Sequence, residues 1–370
     1  MLIGIPKEIK DHEYRVGATP GGVQALVDSG HVLRVQRGAG ERIGFEDEAY
    51  RRAGAVMVDG ARDIYDCELV IKVKEIQSVE FSLLKAGQII FSYHHFAADH
   101  KLLEAMLAAG VCCVAYETIT DAEGGLPLLR PMSQIAGRLA PQVGAWALQM
   151  ANGGSGVLLG GVPGVAPGRV LILGAGTVGA NAAGIAIGMG AEVTLLDRSK
   201  TRLAALESQW AGRLKTVEST PEALRLLLPD QDLVIGAVLV SGAHAPKMVT
   251  RGDLARMQPG SVIVDVAIDQ GGCCETSRPT SHTNPLFVDE GIIHYCVPNM
   301  PSAVARTATI ALTQVTLPHA LALANRGLRG AMLDDPHLAA GLQTCGGQIT
   351  HSALADDLGL PFVAAAGALT

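Results

Sequence analysis

Residues 169–197 carry the feature that most narrows what this chain can fold into. An apolar run at 170–173 ends in Gly174-Ala175-Gly176-Thr177-Val178-Gly179. A helical pattern follows over 177–189, and a second apolar run over 192–197 closes on Asp197. The G-x-G-x-x-G pattern alone is weak. Here a strand precedes it, a helix follows it, and an acid stands 18 residues beyond the last glycine. Each position has a physical task. Gly174 permits the tight strand-to-helix turn. Gly176 removes a Cβ where backbone must approach a pyrophosphate. Gly179 lets the helix lie close to the sheet. The helix N-terminus then offers unpaired N–H groups and partial positive charge to phosphate. A carboxylate at 197 accepts hydrogen bonds from ribose hydroxyls and repels a 2′-phosphate, which favours NAD over NADP. Arg198 beside it leaves residual use of NADP open.

The alternation continues around this unit. Runs at 232–237, 262–266 and 292–296 read as strands, and 200–209, 221–228 and 251–257 as helices. Before it, 2–5, 32–35, 69–73, 89–92 and 111–115 read as buried strands, with helices over 20–29, 47–53 and 99–109. Thr19-Pro20 supplies an N-cap followed by proline at the first helical position. Strand and helix in alternation predict parallel, doubly wound sheets. The length of 370 residues gives a soft expectation of two domains. A long, weakly polar helical pattern runs over 302–325, before a mixed tail.

Three strand ends in the first part carry polar residues where an apolar sheet should stop. Glu13-Tyr14-Arg15 follows the first strand, Lys72-Val73-Lys74-Glu75 closes another, and Ser92-Tyr93-His94-His95 a third. In parallel α/β sheets ligands bind outside the carboxyl ends of strands. Arg15 can clamp a carboxylate, Lys74 can polarise a keto oxygen, and His95 can move a proton near neutral pH. A lysine after a strand is more often a solvated charge; the three together suit an α-amino or α-keto acid. In the second part, Asp265 and Asp269 stand at a strand end. One reads as a cap on the following turn, and Asp269, beside Gly271-Gly272, as the residue available for chemistry.

Composition excludes other classes. The formal charge is −7 with no basic stripe, so no nucleic-acid partner is expected. The seven cysteines form no C-x-x-C pair, and several lie in apolar runs, which predicts reduced, mostly buried thiols in a cytoplasmic protein. The first residues carry Lys7 and Glu8 and no signal-peptide apolar core. The stretches 143–168 and 170–191 lack charge, but glycine, proline and asparagine interrupt them, so no membrane span is expected.

At this point the chain resembles the alanine dehydrogenase family, whose relatives include the NAD-binding subunit of proton-translocating transhydrogenase. The resemblance rests on ordered motifs. They include Gly4-Ile5-Pro6-Lys7-Glu8, Lys72-Val73-Lys74-Glu75, Pro131-Met132-Ser133-Gln134-Ile135-Ala136-Gly137-Arg138, the nucleotide turn, Asp269-Gln270-Gly271-Gly272, Ser277-Arg278-Pro279-Thr280 and Asn299-Met300-Pro301. It implies an α/β fold of two doubly wound domains. A Rossmann NAD-binding domain (131–304) is inserted into a discontinuous substrate and catalytic domain (1–130 and 305–370). It implies reversible oxidative deamination of L-alanine to pyruvate and ammonium with NAD, in a cytoplasmic homohexamer. Arg15 and Lys74 match substrate-binding positions, and His95 and Asp269 catalytic ones, with His94 a bystander. Ser133, Gly174, Gly176, Thr177, Val178, Gly179, Asp197, Arg202, Ser219, Val238, Leu239, Val266, Ala267, Ile268, Asp269, Arg278, Val297, Pro298, Asn299 and Met300 match cofactor contacts.

The departures are modest: Gly40-Glu41-Arg42-Ile43-Gly44-Phe45 after Gly38-Ala39, Pro298 before Asn299, and Arg202 where lysine also occurs. Some members hold a metal near the late helix through an acid and a histidine. Residues 321–326 have neither, so no metal is expected. The same scaffold could instead serve glycine and glyoxylate, another small amino acid, or a transhydrogenase-like NAD(H)-binding role.

Overall fold

The apolar runs pair almost entirely in parallel, because helices or loops carry the chain back between successive strands. The structure, a computed structural model, describes residues 1–238 and 244–369. In chain order the strands are β1 (Leu2–Ile5), β2 (Val32–Gln36), β3 (Val56–Val58), β4 (Leu69–Ile71), β5 (Ile89–Ser92) and β6 (Cys112–Ala115). They continue with β7 (Arg169–Leu173), β8 (Glu192–Asp197), β9 (Leu214–Glu218), β10 (Leu233–Gly236), β11 (Val262–Asp265), β12 (Leu286–Asp289), β13 (Ile292–Tyr295), β14 (Leu342–Cys345) and β15 (Gln348–Ile349). The chain divides into two compact units, Met1–Met132 with Val304–Thr370, and Ser133–Ala303.

In the first unit the sheet order is β15-β14-β6-β5-β4-β1-β2-β3. The pairs from β6 through β3 are all parallel, while β14 pairs antiparallel with both β6 and β15. The chain winds outward from β1 in one direction, then returns to β4 and winds in the other. The direction of winding therefore switches between β1 and β4. At such a switch the two connections leave on opposite sides and open a crevice at the strand ends. Helix Pro20–Asp28 starts where Thr19 accepts a hydrogen bond from the Gly22 N–H and Pro20 occupies the first turn.

The long helix Ala305–Asp334 belongs to this unit and breaks its backbone at Gly327. The stretch Met300–Asp334 is long enough to cross a membrane and contains an 18-residue window apolar enough to do so, with a mean hydropathy of 1.2. Ala308, Leu312, Ala320 and Leu323 are buried in the protein. The helix lines a small apolar cavity with Gly17, Ala18, Leu26 and Ile71, and Thr309 Oγ1 accepts the Val16 N–H at 3.3 Å. It thus pins the segment that carries Arg15.

In the second unit the order is β12-β13-β11-β10-β7-β8-β9, parallel except for the edge strand β12. Its switch lies between β7 and β10, and the glycine turn leaves β7 at that point. The uncharged stretches 143–168 and 170–191 are not single helices. The first contains the end of helix Arg130–Ala147 and irregular chain, and the second contains β7, the turn and helix Thr177–Gly188.

Two expectations are corrected. No helix is read from the sequence over 130–147, yet Arg130–Ala147 is one, with Pro141 inside it. Its glycines serve close packing: a Cβ on Gly137 would lie 2.2 Å from the Val178 carbonyl oxygen, and one on Gly144 2.6 Å from Leu233. The thiols are not all reduced either. Cys112 and Cys345 form a disulfide, and the other five cysteines are free and buried. The pair stands 233 residues apart in sequence, but β6 and β14 are hydrogen-bonded neighbours, which local patterns do not reveal.

Candidate functional site

Four adjacent parallel strands of the first unit, β6-β5-β4-β1, end on one edge of the sheet. Past those ends stand Glu117, His95, Lys74 and Arg15. Arg15 is 2% exposed. Glu13 takes the Nε–Nη2 edge of its guanidinium in a two-point pair, at 2.7 and 2.6 Å, and Met132 Sδ lies 3.2 Å from Nη1. The fork expected to grip a carboxylate is therefore oriented on one edge by the chain's own acid. Burial disfavours the Arg15 charge, but Glu13 outweighs it and raises the pKa.

Lys74 is 8% exposed and its ammonium is 3.7 Å from Glu75 Oε2. Burial lowers its pKa; Glu75 opposes this, and the like charges of Arg15 and Lys10 add to it. Glu75 also pairs with Lys10. Burial works against its ionisation, but Lys74 and Lys10 prevail and hold its carboxyl at about 2.

Beneath Lys74 the backbone is fixed by a buried acid. Glu8 Oε1 accepts both the Val73 N–H, at 2.7 Å, and the Lys74 N–H, at 3.1 Å. Lys72 lies wholly inside, 3.0 Å from Glu80 and 3.5 Å from Glu8. Tyr65 donates to Glu80 at 2.8 Å, and Tyr116 donates to the Lys72 carbonyl at 2.9 Å. Neighbouring lysines thus divide their work. The chain leaves β4 after Ile71 and bends at 73–74, so Lys72 is wholly buried while Lys74, two residues on, keeps 8% exposure.

His95 adopts a left-handed backbone, φ 53° and ψ 40°, at the start of the turn Phe96–Ala98. Its side chain is 46% exposed. Its ring stacks on Tyr93, centroids 5.7 Å apart, and Tyr93 donates to the Leu128 carbonyl at 2.8 Å. Glu117 Oε1 accepts the His95 N–H at 2.6 Å and stands 4.0 Å from His95 Nδ1. His94 points the other way, fully buried and stacked on Phe96, and burial lowers its pKa. Sequence reasoning missed Glu117, Glu13 and Glu8. An acid just past a strand end was the available signal for Glu117, but β6 was read only as an apolar run.

In the second unit most of the residues expected from the sequence to contact a cofactor follow the carboxyl ends of β7, β8, β9, β10, β11 and β13. Gly174 has φ +106°, and a Cβ there would meet the Ala237 carbonyl oxygen at 2.7 Å. A Cβ on Gly176 would stand in open space, and one on Gly179 would lie 1.8 Å from the Gly174 oxygen. Gly176 caps helix Thr177–Gly188 with no side-chain hydrogen bond to its first N–H groups. Thr177 and Val178 are half-buried in that first turn. Asp197 accepts the Ala175 N–H at 2.7 Å on one oxygen and the Ser199 N–H at 2.8 Å on the other. Arg202 Nε donates to the Ala175 carbonyl at 2.9 Å, tying the turn to the next helix. Ser219 donates its N–H to the Asp197 carbonyl at 2.9 Å.

Val238 follows β10 half-buried, and Leu239 lies outside the described residues. Asp265 is spent on structure, accepting from Cys273 N at 2.8 Å and Ser277 Oγ at 2.6 Å. Asp269 is exposed in the turn Val266–Gln270, and its carboxylate makes no hydrogen bond or ion pair among the described residues. Ala267, Ile268, Val297 and Met300 are buried. Val266, Pro298 and Asn299 are half-buried, Asn299 with φ 56°. Arg278 is exposed and stacks on Phe287, 4.2 Å from its ring centre. Ser133, half-buried, opens this unit on helix Arg130–Ala147.

Comparison with known proteins gives the family of the chain. The description "Alanine dehydrogenase/PNT, N-terminal domain" matches residues 4–136, and "Alanine dehydrogenase/PNT, C-terminal domain" matches 140–352. This chain belongs to the alanine dehydrogenase/PNT family. An alanine dehydrogenase of Halomonas elongata is 55% identical over 99% of both chains, and one of Mycolicibacterium smegmatis 50% over 99% of both. A solved structure of an L-alanine dehydrogenase superposes with a TM-score of 0.95 at 46% identity, covering 97% of this chain and 99% of that one. Membership of the alanine dehydrogenase/PNT family, with the Rossmann-type unit, implies a nicotinamide cofactor. The glycine turn fits one: it leaves room at Gly176, forbids a side chain at Gly179, and sets the Asp197 carboxylate beside the turn.

Proposed function

We propose that this chain is an NAD-dependent alanine dehydrogenase. It converts L-alanine, NAD and water to pyruvate, ammonium, NADH and a proton, and runs in reverse. The carrying observation is the switch-point edge β6-β5-β4-β1, where an arginine, a lysine and a histidine follow adjacent strands. Identity to named alanine dehydrogenases over nearly the whole chain supports the choice of substrate.

The first unit acts as the substrate domain and the second, close to 131–304, as the nucleotide domain. Gly174, Gly176, Gly179 and the first turn of helix Thr177–Gly188 would hold the pyrophosphate, and Asp197 the ribose hydroxyls, which favours NAD over NADP. When bound, NAD supplies the acceptor for the Cα hydride. Arg15, set by Glu13, binds the substrate carboxylate. The Asp269 carboxylate stabilises the cationic imine that alanine becomes. His95 takes a proton from water as that water adds to the imine carbon. Lys74 stabilises the resulting hydroxyl and then the keto oxygen. The homohexamer rests on the family resemblance, whereas the expectation of no nucleic-acid partner rests on the missing basic stripe and that of no membrane partner on the interrupted apolar runs.

NADH formation measured with equal concentrations of L-alanine, glycine, L-serine and L-2-aminobutyrate tests the substrate. The expected result is the highest kcat/KM for L-alanine. A preference for glycine would replace this reading with a glycine/glyoxylate one.

A further inference from the structure

The proposed acid/base, His95, does not stand alone. Glu117 follows β6, the parallel neighbour of β5, and its carboxylate reaches the His95 turn from the adjacent strand. Its side chain is 16% exposed against 46% for His95, so the pair has a dry side and a wet side. Oε1 accepts the His95 N–H at 2.6 Å and the His94 N–H at 3.0 Å, and the His94 N–H also lies 3.3 Å from Oε2. These bonds hold the left-handed backbone at 95, which an L-residue rarely adopts without support. The same Oε1 lies 4.0 Å from His95 Nδ1. Tyr93 covers one face of the ring. With Nδ1 turned to the acid, Nε2 is left on the opposite side of the ring, clear of it.

We propose that Glu117 is the positioning residue of His95. Its carboxylate fixes the imidazole with the proton on Nδ1, leaves Nε2 as the base, and stabilises the imidazolium once Nε2 has taken its proton. The assignment to catalysis rests on the alanine dehydrogenase reading, but the coupling between Glu117 and His95 does not. The separation of 4.0 Å is beyond a hydrogen bond and within the range of an ion pair. Catalytic contacts of this kind tighten when substrate binds.

Other groups face the pair. Tyr93 and His94 come from the His95 segment, Tyr116 and Cys113 from the β6 segment, and His351 from the C-terminal segment. Burial lowers the pKa of both His94 and His351, and raises those of Tyr93, Tyr116 and Cys113. All five are thereby biased toward their neutral forms. Among these groups Glu117 is the carboxyl set beside His95 Nδ1.

Glu117→Gln keeps an oxygen for the backbone N–H groups and removes the charge. The expected result is a loss of about 10- to 100-fold in kcat for alanine oxidation, with the acid limb of the kcat/KM profile moved to lower pH by about half a unit or more. Glu117→Asp should restore part of both. His95→Gln combined with Glu117→Gln should be no slower than His95→Gln alone, because a residue acting through another loses its effect when that other is gone. An NMR titration of the His95 ring in the substrate-free protein, assigned with His95→Gln, reads the coupling without turnover. Its midpoint should fall in Glu117→Gln. An unmoved midpoint, or a double variant slower than His95→Gln by the full factor of Glu117→Gln, would overturn the proposal. A wild-type protein inactive on alanine whose His95 midpoint still falls would sink the alanine reading and leave the coupling intact.

Discussion

Lys74 shows how one residue couples function to stability. Folding buries it to 8% exposure, with Arg15 and Lys10 adding like charge and Glu75 and Glu13 offsetting them only in part. Its folded pKa is therefore depressed, first by burial. The unfolded chain holds the Lys74 proton more tightly than the folded one, so stability rises with pH across the window from the folded value up to about 10.4 in the unfolded chain. That contribution is lost as pH falls through the folded value. Lys74→Met, which fills the same space without a charge, should raise the unfolding free energy at pH 7 by about 1 kcal/mol and abolish turnover. In urea titrations the gain should shrink as pH climbs toward 10; equal gains at pH 7 and 10 would show that burial of charge is not its source. His95→Asn and Asp269→Asn should each lower turnover by roughly 10²- to 10⁴-fold without changing the melting temperature by more than a few degrees. Near wild-type turnover in both would remove them from the chemistry.

At the scale of elements, the glycine turn separates binding from folding. A methyl at 179 would stand 1.8 Å from a backbone oxygen, so the helix must move off β7 to admit it. A methyl at 176 would meet nothing in the protein, and the backbone there has a negative φ. Gly179→Ala should destabilise the protein by about 2–4 kcal/mol. Gly176→Ala should leave stability within about 0.5 kcal/mol while weakening NAD binding at least tenfold, because the proposed function gives that space to the pyrophosphate. Thermal unfolding with and without NAD reads both; equal loss of stability in the two variants would contradict this division. The turn was legible in the sequence because strand, glycines, helix and acid are contiguous. Helix Arg130–Ala147 was not, since Pro131, Gly137, Pro141 and Gly144 look like breakers until Val178 and Leu233 are seen against the two glycines.

At the scale of the whole chain, the parallel architecture followed from alternation, and the strand ends gave Arg15, Lys74 and His95 their places. What stayed hidden is non-local. β14 returns from the far end of the chain to lie beside β6, which brings Cys345 to Cys112. Glu117 meets His95 only because β5 and β6 are neighbours, and Glu8 reaches the Lys74 backbone from 66 residues away. The glycine pair beside it already set Asp269 apart from Asp265 in the sequence; in the structure Asp265 is a buried acceptor and Asp269 is exposed. The most direct test of the central claim is the loss of NADH absorbance when purified protein is mixed with pyruvate, ammonium and NADH, repeated with NADPH. Rapid consumption that requires both pyruvate and ammonium, and is at least tenfold slower with NADPH, is the predicted result. No NADH consumption with pyruvate and ammonium would contradict it.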